Sequence, residues 1–368
     1  MHKFLTLPFY VKFACTLISI IALVYIAKIG QTIIAPLILG SLIALLLLPF
    51  ARFMENKLRF PRTLAAIVAL LLFTTLVIGV FTLIGSQLTH MKEDWPAFEQ
   101  QIVNGIKQLQ KWVETTFHIN YSEQMNYITD TATKSIGQGT AILGIALLSV
   151  SSLFVLLVFT FLYTFFILIY RSHIVRFFLL LNNQSHHNVV MDIVMQIQYV
   201  VKRYLIGLVI QMFIVAALTF IALSIIGIKY SLMLAIITGV LNVLPYIGIF
   251  TSMLIVSIIA FATSSLTHVL FVVLAMVLVH VVDGNFVVPK IVGSKVQINS
   301  LFAMLAIIVG EMLWGISGMF LAIPVLAICK IIFDRIKDLK PWGYLLGEEE
   351  QDKKQFISIL EIHNEDKK

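Results

Sequence analysis

The sequence predicts an all-α, polytopic helical membrane protein of about eight hydrophobic segments, two of them re-entrant or broken-helix hairpins, plus an external amphipathic helical segment. Three observations predict it. The 368 residues are 60% hydrophobic and 12% charged, whereas soluble domains are about half apolar and about a quarter charged. Mean hydropathy is +0.98, and apolar runs of ~18 or more residues, enough to cross a ~30 Å hydrocarbon core, recur from end to end. Within two of the longest runs, Pro and Gly interrupt what would otherwise be continuous helix.

The first span runs from about Lys12 to Lys28 and the second from about Ile33 to Phe50, joined by a link short enough for an antiparallel hairpin. The first run lacks a small-residue cleavage site and is expected to be a retained helix. Arg52, Lys57, Arg59 and Arg62 form a basic loop that Pro61 closes. A third span covers about Leu64 to Leu88, and residues 89–138 are the first polar break. There Trp95, Phe98, Ile102, Leu109 and Trp112 recur at helical spacing, an amphipathic stripe suited to packing on the protein, pairing between subunits or lying on the membrane surface. A fourth helix is expected from about Ala141 to Tyr170, then a turn-rich polar linker over Arg171–Arg203 whose His186-His187 pair reads as a solvated turn. A fifth helix follows over about Tyr204–Ile226, and a clean span over about Leu266–Val288. The chain divides accordingly into 1–88, three N-terminal helices; 89–138, the external segment; 139–203, the fourth helix and its linker; 204–332, a core of two span-plus-hairpin units; and 333–368, a charged tail.

Two blocks, about Ser231–Phe261 and Leu301–Ile332, are too long for one crossing and, split at their breaks, too short for two. A re-entrant hairpin fits each. Positive-inside bias places the N- and C-termini on the cytoplasmic side of the membrane and 89–138 outside, and the hairpins then place Lys290 and Lys295 on the cytoplasmic side too. A span plus a hairpin from outside, followed by a span plus a hairpin from inside, has the form of an inverted repeat.

The net charge of +7 is accounted for by Lys and Arg flanking the apolar runs, so membrane lipid and not nucleic acid is the expected surface partner. Cys15 and Cys329 lie in apolar segments without ligand partners, which predicts neither disulfide nor metal site. No P-loop, HExxH or GxSxG pattern appears, so neither an enzyme nor a cofactor is expected.

Irregular backbone at membrane depth survives only where it is buried in protein or lines a hydrated cavity. Asn242, Pro245, Tyr246 and Gly248, within VLNVLPYIGIF, are therefore candidate pathway residues. Asp283 and Glu311 are the deepest charges of the C-terminal half, and a carboxylate at that depth costs at least ~2.5 kcal/mol. Glu311, flanked by apolar residues near the second break, is a candidate proton carrier. His280 lies at i−3 from Asp283 on the same helix face, a pairing able to hold a cation or relay protons. Asn285 suits a polar uncharged ligand. Pro289, Gly293, Gly315, Gly318 and Pro324 are expected to shape the breaks.

Segment 241–248, LNVLPYIG, resembles the PYIG-type motif of the autoinducer-2 exporter (AI-2E) family. Segment 283–293, DGNFVVPKIVG, is similar to that family's N-x-x-x-P-x-x-x-G signature, and 315–324, GISGMFLAIP, to its G-x-x-G-x-x-x-A-x-P ending. The resemblance covers nearly the whole chain. It departs after Arg203-Tyr204-Leu205, where members often carry a further Arg and a Gly-Gln pair; here Ile206-Gly207-Leu208 follow and the glutamine is Gln211. The resemblance implies a bacterial cytoplasmic-membrane transporter, some members being associated with autoinducer-2 export and others with sodium or lithium/proton antiport. It also implies homo-oligomers, pentamers among them. An oligomeric channel-like or structural protein, its polar tips only joining subunits, is the alternative of a different class.

Overall fold

Long uninterrupted apolar runs become long helices. The computed structural model describes residues 8–94, 139–244, 247–293 and 298–348, with scattered positions between 96 and 116. Helix α1 (Phe9–Ile29) starts after Pro8 and ends at Gly30, where α2 (Gln31–Lys57) begins. Next come α3 (Arg62–Glu93) and α4 (Gly139–Leu180). A 3-10 turn over Gln184–His186 leads to α5 (His187–Ile226). The rest comprises α6 (Ser231–Leu241), α7 (Ile247–Thr263), α8 (Leu266–Val282), a π-helical segment (Asp283–Gly293), α9 (Ser300–Arg335) and α10 (Lys340–Leu346). Among the described residues, six helical stretches are long and apolar enough to cross a membrane.

The polar linker expected over Arg171–Arg203 is helical for most of its length. Helix α4 continues to Leu180 and α5 already starts at His187. A helix satisfies its own backbone hydrogen bonds, so it can project past the hydrocarbon as long as its side chains have both an apolar and a wet face. In α5 Val200, Val201 and Tyr204 are buried, while Asn188, Asp192 and Arg203 are exposed. The amphipathic stripe through Trp95, Phe98, Ile102, Leu109 and Trp112 falls outside the described residues. Neighbouring positions of that segment lie against the end of α7: Gln101 Nε2 donates to the Ser264 carbonyl at 3.1 Å, and Gly105 is pressed to the ring of Phe261.

Small residues join α2, α3 and α4. Ala44, Ala51, Ala66, Ala69 and Leu168 form one buried cluster, and a Cβ on Gly40 would lie 2.9 Å from the Thr160 carbonyl oxygen. Close backbone approach through small side chains replaces the hydrophobic drive that lipid cannot supply. Arg171 reinforces the contact through a two-pronged pairing with Glu55, one bond of it 3.0 Å.

Both broken blocks double back. In the first, Gly248 sits so close to the Leu241 carbonyl that a Cβ there would be 1.9 Å from its oxygen, so α6 and α7 are the arms of a helical hairpin. In α9 the backbone leaves the helix at Trp314 and Gly315, where Gly315 has φ +60°. Beyond the break, a Cβ on Gly318 would lie 1.9 Å from the Gly310 carbonyl oxygen. Eight positions along a straight helix would be ~12 Å apart, so the chain has turned on itself. The arm after the break is longer than the sequence pattern implied, running from Ile316 to Arg335, about 30 Å at ~1.5 Å per residue. Glycine is needed at 315 because other L-residues rarely adopt that backbone conformation.

The two hairpins open at opposite ends of α5, whose 40 residues span ~60 Å. Near the start of α5, Asp192 pairs with Arg335 at the end of α9 (2.5 Å), and Asn299, at the start of α9, donates its N–H to the Leu346 carbonyl. Just past the end of α5, in the turn that leads to α6, Lys229 Nζ and Tyr230 OH both reach Asp94 Oδ2. This clasp holds the end of α3 to the mouth of the first hairpin. The hydrogen bond to Asp94 raises the Lys229 pKa above its ordinary 10.5. Burial, then the same carboxylate, raises that of Tyr230. A raised folded-state value contributes stability below the unfolded one and loses it as pH climbs past the folded one. Thermal stability should therefore fall more steeply above pH 10.5 in the native protein than in Asp94→Asn, as scanning fluorimetry at stepped pH would show.

Candidate ion and solute site

Helical periodicity brings three polar side chains together. On α5, Leu208, Gln211, Val215 and Thr219 recur at steps of three and four and are all buried, so Gln211 faces the interior by register. On α8, Val272, Met276 and Val279 are buried and Asp283 continues the same row into the π-helical segment. Asn242 caps the end of α6, its N–H donating to the Thr238 carbonyl at 2.9 Å. Gly239 lets α6 press against α5, since a Cβ there would sit 2.7 Å from the Met212 carbonyl oxygen.

The result is a sealed carboxylate. Gln211 Nε2 donates to both Asp283 oxygens, at 3.1 and 3.0 Å. Asn242 Nδ2 donates to Asp283 Oδ2 at 2.9 Å. Asp283, Gln211 and Asn242 are 2%, 6% and 7% exposed, and no Lys, Arg or His pairs with Asp283 among the described residues. A buried charge without a counter-charge costs several kcal/mol. Charge-assisted hydrogen bonds return about 1.5–3 kcal/mol each, so two amides offset much of that cost without neutralising the site. The amide nitrogens face the carboxylate, leaving the two amide carbonyls as acceptors. Such an oxygen-rich site suits a monovalent cation or a proton, which would supply the missing positive charge.

The expected site residues divide between this cluster and elsewhere. Asp283 and Asn242 are in it. Gly248 lies beside it, in the closure of the first hairpin. Pro245 and Tyr246 are outside the described residues. The structure places Asn285 elsewhere: it is exposed and its Nδ2 bonds back to the Val281 carbonyl at 2.8 Å. Glu311 stands on the exposed side of α9, with no hydrogen bond or ion pair among the described residues, so the apolar surroundings inferred from its neighbours in sequence are not those of the single folded chain. His280 shares a helix with Asp283 but does not bond to it. Both His280 ring nitrogens are buried and unpartnered among the described residues. Pro289 and Gly293 lie within the π-helical segment, Gly315 and Gly318 form the α9 turn, and Pro324 is buried in its second arm.

The second hairpin's tip contributes packing instead of polar groups. Trp314 Nε1 donates to the Ala27 carbonyl of α1 at 2.8 Å, and Trp314 and Val243 pack on one apolar cluster with Tyr204, Leu205 and Leu208. Gln211 is the member that the sequence motifs do not single out. By motif it is only a displaced glutamine, but an amide inside an apolar helix requires a partner.

The chain is 26% identical over 333 residues to "Putative transport protein YueF" of Bacillus subtilis (strain 168), covering 87% of this chain and 88% of that protein. A "Putative transport protein" of Thermotoga maritima is 23% identical over 87% of this chain and 93% of its own length. A shorter stretch of 106 residues, 29% of this chain and 30% of the relative, is 39% identical to "Putative transport protein YrrI" of Bacillus subtilis (strain 168). The family model described as "AI-2E family transporter" matches residues 17–338, spanning all three motifs and the Gln211–Asn242–Asp283 cluster. With six candidate spans and a family match over most of its length, the chain belongs to the AI-2E family of transporters.

Proposed function

We propose that this chain is a secondary transporter in which Asp283 takes up a proton or a monovalent cation, and that this occupancy is coupled to export of a small polar solute such as autoinducer-2 across the bacterial inner membrane. One observation carries the reading: a carboxylate 2% exposed, held by two amides and lacking a counter-cation among the described residues, at the point where α8 gives way to π-helix. Ionisable groups at membrane depth mark transport pathways, and irregular helix there gives them access. In this reading α6–α7 and α9 enter the bilayer as re-entrant hairpins from opposite faces, both termini are cytoplasmic, and subunits associate into homo-oligomers. The exposed apolar perimeter of α1 supports contact with lipid or with a second copy. The same carboxylate also supports Na+(Li+)/H+ antiport as a second reading.

Proteoliposomes loaded with autoinducer-2 test it. Efflux is expected to accelerate when a proton or sodium gradient is imposed. Exchange of Na+ or Li+ for protons without solute movement would select antiport. Leakage indifferent to gradients would make the protein a facilitator, and no flux of any of these would support a structural role. A cysteine at Lys290 should label from the cytoplasmic side, and labelling only from outside would overturn the hairpin topology.

A further inference from the structure

A second site lies apart from Asp283, where α2 meets the N-terminal half of α5. A cavity of about 400 Å³ opens between them. Leu45, Leu48 and Pro49 of α2 and Met195 of α5 make an apolar wall, and Arg52 and Lys202 stand on the same cavity. Neither cation forms an ion pair among the described residues. Glu55, one turn from Arg52, is taken by Arg171.

We propose that this cleft is a binding site for an anionic phospholipid such as phosphatidylglycerol. Its phosphate lies between Arg52 and Lys202, and an acyl chain covers Leu45, Leu48 and Met195. The depth is right for this. Arg52 follows the apolar run of α2, and Lys202 and Arg203 stand where the polar half of α5 gives way to its apolar half. Tyr199 also lines the cavity, and the Arg203 guanidinium lies over its ring at 5.3 Å, adding a third positive charge beside the site. Paired cations between helices at the interface suit lipid headgroups. A free phosphate would leave the cleft's apolar lining in water, whereas a lipid covers it. The exposed Phe50 and Phe53 of α2 (40% and 49%) extend the apolar surface beyond the cavity. One lipid would thereby tie the α2–α3–α4 group to the helix that carries Gln211.

Native mass spectrometry and thermal melting of the detergent-solubilised full chain test this, with phosphatidylglycerol, phosphatidylcholine or inorganic phosphate added. A ligand bound only to the folded form raises the melting temperature with its concentration. Phosphatidylglycerol is expected to stay bound and raise Tm, while phosphatidylcholine and inorganic phosphate do neither. Arg52→Gln with Lys202→Gln should weaken that effect about tenfold or more, from two lost contacts to an anionic headgroup. Leu48→Trp fills the apolar wall with both charges intact and should weaken it too; it decides the matter if the double variant does not fold. Equal shifts from both lipids, an undiminished shift in either variant, or a shift reproduced by inorganic phosphate would each overturn the proposal.

Discussion

Asp283→Asn will abolish gradient-driven flux while the protein stays folded. Asparagine has the size of aspartate and still accepts from Gln211 or Asn242, whose nitrogens lie 2.9–3.1 Å from the carboxylate oxygens. What disappears is the charge that a proton or cation must neutralise. Flux driven by an imposed gradient should fall by at least about tenfold, equivalent to ~1.4 kcal/mol on the transport barrier, with melting temperature little changed or raised. The opposite pattern is expected when the donors are removed. Gln211→Leu leaves Asp283 buried with one amide instead of two and should destabilise the protein by about 2–3 kcal/mol. Because the cost arises from a stranded charge, combining Gln211→Leu with Asp283→Asn should recover part of it, a coupling of about 0.5–3 kcal/mol. Thermal unfolding of the two single variants and the double closes that cycle. If Asp283→Asn transports as well as the native protein with the same gradient dependence, the cluster is a structural polar knot and coupling resides elsewhere.

The largest loss of stability is expected from a single methyl group. Gly318→Ala would set a Cβ 1.9 Å from the Gly310 carbonyl oxygen, and that oxygen belongs to the opposing arm's backbone, so no side-chain rotation can relieve the clash. The arms must part, which loses the packing of Ile307, Leu321 and Ala322, all buried. Overpacking of this kind costs ~3 kcal/mol or more. Gly79→Ala in α3 is the matched control. Nothing lies within 4 Å of a Cβ there, and alanine is the better helix former by ~1 kcal/mol, so its Tm should hold or rise. Equal melting temperatures for Gly318→Ala and the native protein would show that the arms are not in contact, and the hairpin in α9 would be wrong.

How much of this was legible in the chain varies by element. The membrane character, the long helices and the two breaks were, since each depends on residues adjacent in sequence: a hydrophobic run sets a helix's length, and a Gly tolerant of left-handed backbone sets where it turns. Asp283 and Asn242 stood out because a polar side chain in an apolar run is conspicuous alone. The extension of α4 and α5 through 171–203 is not legible in the polar pattern, because polarity marks departure from lipid, not departure from helix.

Local pattern thus established that the protein lives in lipid and where its rods bend. The partnership at the centre came from packing alone. Gln211 is 72 residues from Asp283, and Asn242 is 41 residues from it. Each helix announces which face is buried, but which polar group meets which depends on rotation and depth between helices, and those are settled by glycine contacts such as Gly239 against Met212. The same packing turned Asn285 and Glu311 outward, although their neighbours in sequence are as apolar as those of Asp283.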